Sequence, residues 1–262
     1  MIRVRNIHKY PPYYLWDLLI QLVGRDLKLR YRGSFLGVAW SLLNPLAQLL
    51  VFSFIFRSVL PLNIPNYTMF LFIGLLAWSW FQVSLMGAAT IVVDSRTLIK
   101  QPIFPVAILP IVVVTANLLH FLLALPVMLL FLWLAGISFA LPIIMLPVII
   151  ALQMLLTLSL SYWVAALNVF FRDVQHLVGV FLFLFFYLTP IFYNADVIPK
   201  KYQFLYNLNP LLQLLDAYRI ILLDGSWPVV KSLLLVAASS LACLFLGYHL
   251  FKRASHHFVE EL

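Results

Sequence analysis

Long apolar runs separated by short charged gaps dominate this chain, and they decide its solvent before any motif is read. Six stretches, at about 35–57, 67–93, 106–135, 142–167, 177–193 and 228–251, come close to the roughly 20 apolar residues that a helix needs to cross a hydrocarbon core about 30 Å thick. Apolar residues fill 64% of 262 positions and charged residues 10%, more hydrophobic material than a soluble core of that size hides. The pattern predicts an all-α integral membrane protein with six transmembrane helices. Residues 1–34 form an N-terminal segment, 35–252 the transmembrane domain and 253–262 a tail. No short hydrophobic leader precedes the first run, so the N-terminus is expected to be retained. Cys243 lies inside the last run, where it reads as a small apolar filler.

Lysine and arginine placement gives the orientation. With the first span leaving the cytoplasm, Arg3, Arg5, Lys9, Arg25, Lys28, Arg30, Arg32, Arg96, Lys100, Arg172, Lys252 and Arg253 fall inside, twelve in all. Arg57, Lys200, Lys201, Arg219 and Lys231 fall outside, and the excess marks the cytoplasmic side. Both termini are therefore expected in the cytoplasm. The net charge of +8 reflects membrane-facing loops, not a nucleic-acid partner.

Residues 13–32 have helical composition but carry too much charge to cross. On a helical wheel Asp17, Gln21, Gly24, Arg25, Lys28 and Arg32 share a stripe, with Leu15, Leu18, Leu19, Ile20, Leu22, Val23 and Leu27 around the rest. This predicts an amphipathic helix lying at the headgroup level. Asp26 falls opposite the polar stripe with Arg30 four residues on, a pair expected to dock against protein.

Two cytoplasmic connections carry charge. The first, Asp94 to Pro105, holds Arg96 and Lys100 four apart around Leu98, and Pro102, Phe104 and Pro105 keep it from merging with the next helix. The second, Asn168 to His176, puts Arg172 beside Asp173, where adjacent residues need separate partners. On the far side, 194–225 is too short to span and too leucine-rich for a plain loop. Asn209-Pro210 reads as a cap followed by a first-turn proline. Leu211, Leu212, Leu215, Tyr218 and Leu222 make an apolar stripe, with Asp216 and Arg219 expected off it. Two short re-entrant helices beside a cavity are predicted.

The chain has no Gly-Lys dipeptide and so no phosphate-binding loop of the G-x-x-x-x-G-K type. Its nine acidic residues sit at or beyond the ends of the runs, whereas an ion-coupled secondary transporter carries ionisable groups at mid-membrane. His120 is the main candidate for such a role, but a lone histidine inside a long span is more often a helix–helix hydrogen bonder. His256-His257 lacks further ligands, so no metal site is expected. Asp173 with His176 is the nearest approach to an enzymatic cluster.

Residues Asp26 to Leu46, Leu98 to Pro105, Asn168 to His176, Pro190 to Tyr193, Asn209-Pro210 and Arg219 stand in an order that resembles the membrane subunits of ABC-type polysaccharide and polyol-phosphate exporters. The resemblance implies a bacterial inner-membrane permease, not an enzyme, that moves a lipid-linked O-antigen, capsular or teichoic acid chain. It implies a homodimer energised by two copies of a separate ATP-binding subunit, which holds the ATP and magnesium. Under it, Arg96, Leu98, Lys100, Pro102, Phe104, Pro105, Arg172 and Asp173 couple to the ATPase. Arg25, Asp26, Lys28, Arg30 and Arg32 meet the lipid headgroup or the membrane interface. Tyr193, Asn209, Pro210, Asp216 and Arg219 belong to an external gate. The aromatic share of 16% adds a partly aromatic conduit, for which Trp40, Phe52, Phe56, Trp78, Phe81, Phe181, Phe185 and Tyr187 are the candidates. A drug or small-lipid exporter of the same class, and an ion-coupled secondary exporter, are the alternatives.

Overall fold

A backbone that must satisfy its polar groups without water does so inside helices. In the computed structural model, which describes residues 10–34, 37–59, 64–101 and 104–258, the protein is all-helical, with no strand among the described residues. Arg3, Arg5, Lys9, Phe35, Pro102, Glu260 and Glu261 lie outside them, as does the side chain of Arg57. The helices run α1 Pro12–Tyr31, α2 Trp40–Phe54, α3 Tyr67–Asp94, α4 Arg96–Ile99, α5 Leu109–Leu134, α6 Leu146–Phe170, α7 Val174–Leu188, α8 Lys200–Asn207, α9 Pro210–Leu222 and α10 Val230–Ala254.

Among the described residues four segments are long and apolar enough to cross a bilayer: Tyr67–Asp94, Val106–Leu134, Leu141–Phe170 and Val230–Ala254. Helix α2 has 15 residues but continues without a break from a 3-10 turn at Gly37–Ala39 into a π-helical turn at Ile55–Val59, so helical backbone runs over 37–59. The run expected at 177–193 is shorter as a helix, since α7 has 15 residues, a rise of only about 22 Å. The chemistry of Thr189-Pro190 explains where α7 stops. A residue before proline avoids the helical region, and Pro190 has no N–H to continue the ladder.

Helix α3 is apolar all round and packs against α2, α5, α6 and α7, so it forms the centre of the bundle. Across the α3–α6 contact Gln153 donates Nε2 to the carbonyl of Ala77 at 2.8 Å, a hydrogen bond formed in an apolar surrounding. At one end of the bundle Leu22 and Val23 of α1 join Val92, Ile99, Phe104, Val169, Phe251 and Phe258 in a second core. The amphipathic helix is thereby fixed to the α3–α5 connection and to the ends of α6 and α10. Its apolar face is divided, however. Leu18, Leu19, Leu22, Val23 and Leu27 pack on protein, while Trp16, Ile20 and Leu29 turn outward. Gly33, with φ of 76°, closes α1 in the left-handed conformation that a helix C-terminus favours.

Helices α6 and α10 form the most extensive pair, and Gly247 sets their approach. A Cβ there would stand 2.6 Å from the Trp163 ring and 3.1 Å from the Ser159 carbonyl. Overpacking at such a site costs about 1–3 kcal/mol. The Gly247→Leu variant is therefore expected to lose monodispersity on heating at a lower temperature than the parent, measured in detergent by size exclusion. An unchanged midpoint would mean that this helix pair yields freely.

Candidate functional site

Polar groups converge at both ends of the bundle. At the end away from α1, the chain leaves α7 at Thr189 and crosses irregular backbone before it re-enters helix. Carbonyls there have lost their helix partners. Arg219, on α9 and only 6% exposed, donates Nη1 to the Pro190 carbonyl and Nη2 to the Ile191 carbonyl, both at 2.8 Å. Its guanidinium carbon stands 3.5 Å from the centroid of the Phe70 ring, a cation–π contact, and Asp216 lies 4.0 Å away. Tyr67 donates its hydroxyl to the Phe192 carbonyl at 2.9 Å, and Asn209 donates Nδ2 to Thr189 Oγ1 at 3.2 Å. The Asn209 side-chain oxygen also caps α9, accepting from the amides of Leu211 and Leu212, with Pro210 in the first turn as the sequence predicts. The Tyr193 hydroxyl donates to the Tyr187 and Leu188 carbonyls and meets Tyr206 at 3.4 Å.

One expectation is corrected here. Arg219 is not off the apolar stripe. Its spacing from Leu212, Leu215 and Leu222 (seven, four and three residues) puts it on the buried face. The side chain is tolerated there because two carbonyls and an aromatic face receive its charge. Asp216 is the half-exposed member of the pair.

The aromatic candidates divide. Phe52 and Phe56 of α2 stack with Phe192, and Phe52 also meets Phe186 of α7. Trp78 touches Phe81, Phe185 and Phe186, and Phe185 stacks on Phe181. The rings form one continuous series between α2, α3 and α7. Trp78 and Phe81 are buried within it, so inside one subunit they pack and do not present a face. Phe181 and Tyr187 face outward. Trp40 stands apart from the series and lines a cavity beside α1.

At that α1 end, Arg30 reaches back to Asp26 at 3.3 Å, as the four-residue spacing predicts, and donates Nη1 to Asn117 Oδ1 of α5 at 2.8 Å. The Tyr31 hydroxyl lies 3.2 Å from His120 Nε2. Helix α1 thus directs two sets of charges apart. Arg30 and Asp26 face α5, whereas Arg25, Lys28 and Arg32 surround a separate surface hollow with Gln21 and Gly24.

The two charged connections lie on the same end as α1. In the first, Ile99, Phe104 and Pro105 are buried, Arg96 and Leu98 are half-buried and Lys100 is exposed. Phe104 therefore anchors the connection, and among its described residues Asp94, Thr97, Lys100 and Gln101 are the exposed ones. Leu98, Gln101 and Phe104 also form one wall of a groove of about 510 Å³, whose other wall is Tyr14, Leu18 and Leu22 of α1. In the second connection, Arg172 and Asp173 are exposed, and neither forms an ion pair among the described residues. Asn168 accepts from the Gln175 amide at 3.0 Å and so caps the start of α7. Among the described residues no group of three His, Cys, Asp or Glu side chains converges.

Sequence reading missed Asn117, Tyr31, Tyr67, Phe70, Gly74 and Thr189. For Asn117 a signal existed: an amide three residues before His120 inside a long apolar run, where buried polar groups mark function. For Gly74 none existed, because its meaning comes from a residue 145 positions away.

The arrangement defines a polytopic helical membrane protein whose polar groups gather at the two ends of the bundle. The chain belongs to the ABC-2 type transporter family, which matches residues 17–223. It is 38% identical over 265 residues to the O-antigen export system permease protein RfbA of Myxococcus xanthus, covering 100% of both chains. A relative of the same name from Klebsiella pneumoniae is 34% identical over 255 residues, 97% of this chain and 98% of the other. The polysialic acid transport protein KpsM of Escherichia coli is 23% identical over 235 residues, 87% and 90% of the two chains.

Two substitutions test the Arg219 contacts. Arg219→Met leaves two buried carbonyls unpaired, and a loss of about 2 kcal/mol corresponds to roughly thirtyfold faster local amide exchange. Deuterium uptake over 189–193 is expected to rise by that order while α3 and α6 stay protected. At Gly74 a Cβ would come within 2.9 Å of Arg219 Nη2 and 3.1 Å of the Ile191 carbonyl. Gly74→Ala is therefore expected to raise exchange in the same segment, and protection equal to the parent's in both variants would show that the backbone holds without the guanidinium.

Proposed function

We propose that this protein is the membrane subunit of an ATP-driven ABC exporter that moves a lipid-linked polysaccharide, of O-antigen, capsular or teichoic acid type, across a bacterial inner membrane. The observation that carries the reading is the 38% identity, spanning both chains completely, to a protein named as an O-antigen export permease. The lower likeness to a named polysialic acid transport protein points to the same class of cargo.

In this reading the subunit spans the membrane six times, the stretch 37–59 around α2 and the shorter α7 completing the set, with both termini in the cytoplasm. It acts as a homodimer with two copies of an ATP-binding subunit, and the ATP and magnesium belong to that partner. The α3–α5 connection is the main coupling element, with Lys100 and Gln101 at its exposed surface and Phe104 holding it in place. Pro102 is assigned to this element as well. Arg172 and Asp173 form the second coupling turn. Arg25, Lys28 and Arg32 meet the anionic end of the lipid carrier. Helices α8 and α9, held by Asn209 and Arg219, close the external side, and the ring series from Phe52 to Phe181 borders the conduit.

The reading is tested by expression with an ATP-binding subunit in cells that lack their own exporter, with surface polysaccharide as the readout. The lone chain in bilayers is expected to hydrolyse no ATP, and the pair to export. Lys100→Glu with Gln101→Ala should leave assembly and ATP hydrolysis in place while export falls. Full export by that variant would remove the connection from coupling. Charge reversal of Arg25 and Lys28 costs about 2 kcal/mol per site in attraction lost and repulsion gained, so export per inserted dimer should fall by two to three orders of magnitude. A normal ratio would leave those residues as membrane anchors only.

A further inference from the structure

Between the last turn of α1 and helices α2, α3 and α5 lies a cavity of about 350 Å³. Two indole rings stand in its wall. Trp40 is 56% exposed, and Trp80 is buried with its ring N–H committed to the Val114 carbonyl at 3.4 Å. Between them the lining is polar without being charged in excess. Arg30 is held by Asp26 and by Asn117, so its cation is already compensated and its orientation fixed. Asn117 is in turn fixed by donating to the Val113 carbonyl at 3.0 Å, which makes it a positioning residue for Arg30. Ser34, Asn44, Ser79 and His120 add groups that both donate and accept hydrogen bonds.

That mixture selects a ligand. A phosphate is acceptor-only and highly charged, and it would find acceptors it cannot use and a guanidinium already paired. Arg25, Lys28 and Arg32, which form no ion pair among the described residues, surround a different hollow on another face of α1. A neutral ring with several hydroxyls needs donors and acceptors in equal measure and flat apolar surfaces against its C–H faces. Small-molecule sites have this composition, apolar walls with a few convergent polar groups, and start at about 300 Å³.

We propose that this cavity holds one sugar ring of the transported chain, separately from the charged end of its lipid carrier. This rests on the polysaccharide reading above and deepens it, because α1 then distinguishes the two chemical halves of the substrate on two of its faces. Trp40 and Asn44 at the mouth are the specificity-determining residues, and both are exposed, so their substitution leaves the core untouched.

The test uses the full-length protein in phosphatidylcholine nanodiscs with two photoreactive probes, a diazirine-bearing dodecyl glucoside and the matching dodecanol. Crosslinks mapped by mass spectrometry are expected within 40–44, 76–83 and 117–124 for the glucoside and not for the alcohol. Trp40→Ala and Asn44→Ala should each lower that labelling by about fivefold or more, near 1 kcal/mol. Excess inorganic phosphate should leave it unchanged. Equal labelling by both probes would reduce the cavity to an apolar lipid cleft, displacement by phosphate would make it an anion site, and labelling untouched by either variant would place the sugar elsewhere. Each of these overturns the proposal. Surface export by the wild-type complex, assayed in parallel, separates the two levels. Export without glucoside-specific labelling sinks the sugar site alone, whereas specific labelling without polysaccharide export sinks the proposed function and keeps the sugar site.

Discussion

Two carbonyl oxygens beyond the end of α7 lose their helical partners where the chain breaks, and one guanidinium supplies both hydrogen bonds. In a medium without water an unsatisfied carbonyl costs several kcal/mol, so irregular backbone survives only when side chains replace the ladder. Arg219 meets that need from α9, Tyr67 meets it at the Phe192 carbonyl, Asn209 holds the Thr189 hydroxyl beside them, and the Phe70 ring takes up the charge. Much else follows from this requirement. Gly74 must lack a side chain, α9 must lie with its apolar face buried between α3, α6 and α10, and its first turn must be capped at Asn209.

The opposite end solves a related problem in another way. There α1 is fixed by Leu22 and Val23 to a small core shared with the α3–α5 connection and the end of α10. That core includes Phe104, so packed side chains join the connection to α1. The connection and α1 also share the groove lined by Leu98, Phe104, Tyr14 and Leu18. Helix α1 in turn borders both the cavity beside Trp40 and the hollow beside Arg25.

Much of this was legible in the sequence. Apolar periodicity and length placed the bundle helices, and the Asn209-Pro210 cap and the Asp26–Arg30 pair followed from local spacing alone. What local spacing does not contain is the partner across the bundle. Arg219 looked like an off-stripe cation because its acceptors, Pro190 and Ile191, are exposed only by a break that tertiary structure completes. Phe104 looked like a contact residue because its sequence neighbours are charged, yet it is held by α1 and α5. Trp78 and Phe81 join the conduit on composition, whereas α3 packs against α2, α5, α6 and α7 and buries them.

The shortness of α7 has a consequence for whatever surrounds it. Its 15 residues rise about 22 Å, against about 30 Å for a hydrocarbon layer. A bilayer that meets so short an apolar helix thins locally, at fractions of a kcal/mol per Å. Any such thinning falls beside the exposed rings of Phe181, Phe183 and Tyr187, so aromatic surface marks that edge of the subunit.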